Sequence, residues 1–185
     1  MKRLFVAIKI HPSPELLQVY YSLKKDLALE KIRWVEENNF HLTLKFLGNT
    51  HTSLIAKIDR TLKNVSLNTP SFEMHFHDAG IFGSRYAPRV IWLGIENNKQ
   101  LNEFADNVLN ELDQIGFLRD RQNFVPHLTI GRIKHIHNKK HLKNVIDKHK
   151  GNPIHRETVN EFYLYESILK REGPVYKVLK VYSLA

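Results

Sequence analysis

A short motif that occurs twice constrains this chain most. His41-Leu42-Thr43-Leu44 recurs 86 residues later as His127-Leu128-Thr129-Ile130. The flanks echo as well, NNFHLTLKFLG against FVPHLTIGRIK, and a helical pattern follows each copy. Self-similarity of this kind points to a duplicated structural unit. It predicts one domain over residues 1–185, built as two lobes related by a pseudo-twofold axis. The two motif strands would then face one another across a cleft.

Each motif reads as a half-buried strand. Leu42 and Leu44 alternate with His41 and Thr43 at the period of two expected for a strand with one wet face. Histidine and threonine therefore project to one side and the apolar residues to the other. A lone histidine on a strand would be read as structural. Two matched copies predict a groove lined by two imidazoles and two hydroxyls. That set suits in-line displacement at phosphorus. The entering oxygen must lose a proton on one side while the leaving oxygen gains one on the other. An unperturbed imidazole has a pKa of about 6.5, so both protonation states coexist near neutral pH. Threonine hydroxyls can hydrogen-bond the non-bridging oxygens as charge builds there. Being neutral, they do not hold an imidazole in its charged form as a carboxylate would.

The remaining patterns surround these strands with others and with amphipathic helices. Residues 4–10 read as a first strand and 12–29 as a helix, capped by Ser13 with Pro14 in its first turn. Residues 32–36 and 41–48 read as strands and 52–65 as a helix bearing Leu54, Ile55, Ile58, Leu62 and Val65. Two strands, 71–82 and 89–95, precede a third helix that carries Leu101, Phe104, Val108 and Leu112 and ends at Gly116. A strand at 124–133, a basic helix at 139–149 and strands at 157–169 and 175–184 complete the chain. Short loops join several neighbouring strands. This predicts an α+β fold with antiparallel sheets flanked by helices.

Composition narrows the function. Lys plus Arg number 28 against 19 Asp plus Glu, a net charge of +9, which favours an anionic partner such as RNA, DNA or a phosphorylated metabolite. There is no cysteine, so disulfides and thiolate metal sites are excluded. No apolar run approaches the ~20 residues of a membrane span. The first residues read as a strand rather than a signal peptide. A cytoplasmic monomer with no membrane contact and no obligate protein partner is expected.

With both motifs in view, the chain resembles the 2H phosphoesterase superfamily. More narrowly, it is similar to the RNA 2',3'-cyclic phosphodiesterases, the LigT or ThpR family of 2'-5' RNA ligases. The likeness runs through RLFVAIKI, WVEENNFHLTLKFLG, GIFGSRYAPRVIWLGI, FVPHLTIGR and LYESILKREGPVYKVL, in that order. It implies a bilobal fold with both motifs in a central cleft. It implies hydrolysis of an RNA 2',3'-cyclic phosphate to a 2'-phosphate, with no metal or other cofactor. His41 would be the general acid and His127 the general base. Thr43 and Thr129 would hold the phosphate. Reversal, with a 5'-hydroxyl in place of water, would give 2'-5' ligation.

Arg132 matches a basic, phosphate-binding position of that family. Strict alternation, however, puts it on the face of Leu128 and Ile130. Two outcomes are open: a bulge at Gly131 that re-aims it, or a side chain that leaves the strand end and snorkels. Phe46 occupies the corresponding place in the first copy. Arg85 and Tyr86, with Arg89, are candidates for the substrate rim, where Tyr86 could stack on a base. Phe124 reads as packing. By parity Lys45 falls on the His41 face. His135, His137 and His141 read as exposed histidines rather than metal ligands, and His75 with His77 lacks a third ligand. Two other functions use the same residues: a 2H phosphodiesterase for 2'-5' oligoadenylate or a small cyclic nucleotide, and a non-catalytic RNA-binding module. Both intact motifs argue against the latter.

Overall fold

The computed structural model describes residues 1–84, 86–96, 98–120, 124–171 and 173–185. Within them the chain runs β1 (Lys2–Lys9), α1 (Pro14–Asp26), β2 (Lys31–Trp34), β3 (His41–Thr50), α2 (Ile55–Leu67), β4 (Phe72–Gly83), β5 (Pro88–Ile95) and α3 (Lys99–Gln114). It continues as β6 (His127–His135), α4 (Lys139–Asp147), β7 (Pro153–Val159), β8 (Glu161–Leu169) and β9 (Pro174–Ser183). The strands form two antiparallel sheets, in the orders β3-β1-β8-β9 and β2-β6-β5-β4-β7. The α+β class expected from the interleaved patterns is the one adopted. No helix among the described residues is long and apolar enough to cross a membrane.

Helices cover one face of each sheet. α2 and α3 pack on each other and against β9 and β3, while α1 and α4 pack against β7 and β4. Alternation along β1 shows the consequence. Leu4, Val6 and Ile8 enter the main core, whereas Phe5 and Ala7 face the other way, with Tyr163 and Tyr165 of β8. α3 buries Leu101, Phe104, Val108 and Leu112 on one stripe. Its start is fixed by Asn98, whose side chain accepts from the Gln100 and Leu101 amides at 2.8 and 3.3 Å. Such a cap contributes about 1 kcal/mol. α1 is capped as expected, with Ser13 accepting from Leu16.

Two sequence expectations change. Residues 157–169 are two strands, because the chain crosses from one sheet to the other at Asn160. There the Asn160 carbonyl accepts from the Leu184 amide at 2.8 Å, closing the far edge of the first sheet. The second helix begins later than residue 52. His51 accepts from the Ser53 amide and starts a short 3₁₀ turn, Thr52–Leu54, that leaves Leu54 39% exposed.

Candidate active site

The two motif strands lie in different sheets, β3 in one and β6 in the other. Both carry a bulge at the same place. On β3, Thr43 pairs with Ala7 and Lys45 with Val6, so Leu44 is the extra residue. On β6, Leu128 pairs with Leu93, Thr129 with Trp92, and Gly131 with Ile91, so Ile130 is the extra residue. Leu44 and Ile130 are 86 positions apart, the spacing of the histidines themselves. A bulge shifts the alternation by one residue. On β6 it returns Arg132 to the side of His127 and Thr129, and all three line the cleft. Strict alternation is thus corrected for Arg132. The same shift on β3 returns Phe46 to the His41 side, 6.0 Å from Phe5. It also sends Lys45 to the Val6 side, contrary to parity. Lys45 is 4% exposed, and its Nζ donates to the Leu118 carbonyl at 2.7 Å and to Asp120 at 2.9 Å.

The imidazoles are oriented alike. His41 Nδ1 donates to the Asn39 carbonyl at 2.6 Å, and His127 Nδ1 donates to the Val125 carbonyl at 2.7 Å. A carbonyl only accepts, so Nδ1 carries the proton in each neutral ring. Nε2 is left with a lone pair, free to take a proton or, once protonated, to give one. In each case the anchor is two residues upstream, so the strand's entry into the sheet positions the ring.

Aromatic residues wall each histidine. Tyr176 of β9 meets His41 edge-on at 5.1 Å, and Phe5 lies 5.2 Å away. Phe82 of β4 meets His127 edge-on at 4.7 Å and also touches Trp92. Trp92 lies directly over Gly80, where any Cβ would collide with the indole. Burial by these rings pushes the pKa of both histidines down. The Arg132 charge lowers both further, and that of His127 acts on His41; the Asn39 and Val125 carbonyls oppose the shifts. Burial likewise raises the pKa of Tyr176, against the charges of Arg132, Arg3 and Arg33.

The cleft between the sheets has a volume of about 1370 Å³. His41, Thr43, His127, Thr129 and Arg132 all line it. The Thr43 and Thr129 hydroxyls make no hydrogen bond among the described residues, so both remain available to a ligand. Two imidazoles, two hydroxyls and a guanidinium therefore converge on one space. The arrangement can bind a phosphate and move protons on either side of it.

Other expected residues lie elsewhere. Arg85 is outside the described residues. The β4–β5 ladder closes at Gly83 opposite Pro88, so Tyr86 sits at the hairpin tip, 70% exposed and away from the cleft lining. Phe82, inside the ladder, is the aromatic residue beside the site instead. Phe124 packs against the core and also lines the cleft. His137 is held by Glu30 through its amide and ring, and His141 Nε2 donates to the Asp26 carbonyl at 2.9 Å. Among the described residues no group of three or more acidic or imidazole side chains is arranged to hold a metal ion. Phe5, Phe82, Trp92 and Tyr176 carry no functional signal in the sequence. Their strands are legible there, but nothing local marks which sheet neighbour they will face.

Comparison with known proteins finds relatives across most of the chain. Residues 24–169 match the 2'-5' RNA ligase superfamily. A protein of Archaeoglobus fulgidus is 33% identical over 98% of this chain and 99% of its own length. One from Methanocaldococcus jannaschii is 35% identical over 96% and 98% respectively. Both are named RNA 2',3'-cyclic phosphodiesterase. The crystal structure of E. coli LigT complexed with 3'-AMP superposes with a TM-score of 0.79 at 26% identity, covering 100% of this chain and 98% of that one. The sequence match across most of the chain and the two paired motif strands lead to one conclusion: the chain belongs to the 2'-5' RNA ligase superfamily.

Proposed function

We propose that this protein hydrolyses the 2',3'-cyclic phosphate at an RNA terminus to a 2'-phosphate, using two histidines and no metal. The observation that carries the reading is the matched pair of anchored imidazoles. Both have Nδ1 tied to a backbone carbonyl, and both line one cleft with Nε2 unengaged among the described residues. Water attacks phosphorus and gives a proton to His127 Nε2. The bond to O3' breaks as His41 Nε2 delivers a proton to that oxygen. The product has a free 3'-hydroxyl, and exchange of one proton at each histidine with solvent resets the site. Thr43 and Thr129 donate to the non-bridging oxygens, and Arg132 offsets their charge.

The apolar walls suit the acid role. A lowered pKa makes an imidazolium a better proton donor. Bound phosphate restores the protonated fraction, because a nearby negative charge favours the charged ring. The names of the relatives support a cyclic phosphodiester of RNA over other phosphodiesters. With a 5'-hydroxyl in place of water, the same displacement of O3' would form a 2'-5' linkage, a secondary activity of the same site.

The test is hydrolysis of a nucleoside 2',3'-cyclic phosphate in EDTA, with the product identified. Metal-independent formation of the 2'-phosphate is expected. A 3'-phosphate product would overturn the leaving-group assignment. Loss of activity in EDTA, restored by a divalent ion, would overturn the metal-free reaction.

A further inference from the structure

The cleft is electrostatically lopsided. At one end its cations are already matched to carboxylates. Lys45 is paired with Asp120, and Arg119 with Asp106. At the other end lie Arg132, Lys134 and Lys170, which line the cleft but make no ion pair among the described residues. Their placement follows from the fold. The bulge at Ile130 puts Arg132 on the same face of β6 as His127 and Thr129, and Lys134, the extra residue of a second bulge against β2, lines the cleft beyond it. The series leads outward from the reacting groups, with about 7 Å of strand between Arg132 and Lys134. That step is comparable with the separation of successive phosphates on an extended nucleic-acid strand.

Lys170 reaches this end from the other sheet. It exchanges two backbone hydrogen bonds with Gly173, at 3.1 and 3.2 Å, where the chain turns between β8 and β9. Gly173 in turn lies against the Arg33 guanidinium, and a Cβ there would collide with Arg33 Nη2. Its φ of 147° also favours glycine. Arg33 stands directly opposite Arg132 on the neighbouring strand. The β8–β9 turn is thereby docked beside Arg132, and Lys170 is carried with it.

We propose that this end of the cleft is a subsite for the phosphodiester immediately upstream of the reacting phosphate, held by Lys134 and Lys170. The preferred substrate is then the end of an RNA strand rather than a mononucleotide, and the strand leaves the cleft past β6 and the β8–β9 turn. The proposal rests on the reading of the histidine pair as a cyclic-phosphate site. Nothing at the opposite end offers comparable cations among the described residues, since Asp106 and Asp120 sit there and would repel a strand running that way.

The test compares kcat/KM for an RNA trinucleotide ending in a 2',3'-cyclic phosphate with that for a nucleoside 2',3'-cyclic phosphate. The wild type is expected to favour the trinucleotide. In K134A/K170A the ratio of the two should fall about tenfold, the effect of removing a charge-assisted hydrogen bond. K57A/K63A, which removes two exposed cations from α2, is the charge-matched control and should keep the ratio. A second arm measures the affinity of a trinucleotide with a 3'-phosphate against salt concentration. The slope should become shallower in K134A/K170A by about 0.7 for each phosphate no longer neutralised. An unchanged ratio and slope would overturn the subsite. No turnover of either substrate, with the slope difference intact, would overturn the reaction but support the subsite.

Discussion

Lys45 and Asp120 tie the two halves of the cleft together, 75 residues apart in sequence and 2.9 Å apart in space. Lys45 belongs to the strand of the first motif. Asp120 belongs to the segment that leads into the second. The bulge at Leu44 turns Lys45 inward, while Asp120 remains 72% exposed and keeps its hydration. The pair is therefore a tether between segments more than a source of large electrostatic stability.

Replacing Lys45 with Met should expose this role. The aliphatic stem is kept and the donor is removed. Asp120 is solvated, so no buried charge is stranded, and the Leu118 carbonyl loses a hydrogen bond worth about 1–2 kcal/mol. Urea unfolding should report that loss. Because the same segment supplies the Val125 carbonyl that aims His127, kcat should fall more than KM rises. A kcat equal to that of the wild type would show that the tether does not position the second histidine.

In the proposed reaction His41 and His127 act on one phosphate in a single displacement, so their losses should not add. H41A and H127A are each expected to reduce kcat by ~10² to 10⁴. The double variant should be little worse than the more damaged single one. Steady-state rates of the three variants on one cyclic substrate decide this. Multiplicative losses would mean that the two rings act in separate steps.

Sequence and structure part company at the bulges. The motif strands are legible because alternation and repetition are local properties of the chain. The bulges are not, because an extra residue is defined only against a partner strand. Gly131 is a hint on β6, and nothing at Leu44 offers one on β3. Alternation alone therefore puts Lys45 on the wrong face and leaves Arg132 open. The aromatic walls are hidden for a related reason. Tyr176 reaches His41 from a strand 135 residues later, through a sheet order that pairs β1 with both β3 and β8. The crossing at Asn160 leaves no mark in the sequence, because strand propensity continues through it while the sheet changes.

Arg132 should be visible in a pH profile as well as in a rate. Its charge lowers the pKa of both histidines, second to burial among the lowering causes. R132M removes that charge and keeps much of the bulk. Both imidazoles should then hold protons to higher pH, and the profile of kcat/KM should move in the alkaline direction, alongside weaker binding. The profile reports the pair rather than either ring. A profile that keeps its position, or moves to lower pH, would place the Arg132 charge away from the reacting groups.

The buried histidines also predict how stability depends on pH. Burial first, then neighbouring charge, makes His41 and His127 bind protons less readily in the folded chain than in the unfolded one. The unfolded chain takes up a proton near pH 6.5. Below that pH the unfolded state holds more protons, so stability present above about pH 6.5 is lost as the pH falls toward the lowered folded values. His149 contributes with the same sign through burial, away from the cleft. Lowered carboxylates such as Asp147, stabilised first by its hydrogen bond to Lys150, also destabilise on acidification, but only near and below their ordinary pKa of about 4. Urea midpoints at pH 7.5 and 5.5 therefore isolate the histidines. The wild type should lose stability between the two, and H41A/H127A should lose clearly less, its residual slope coming from His149. Equal losses in the two proteins would mean that the cleft histidines titrate alike in the folded and unfolded chains.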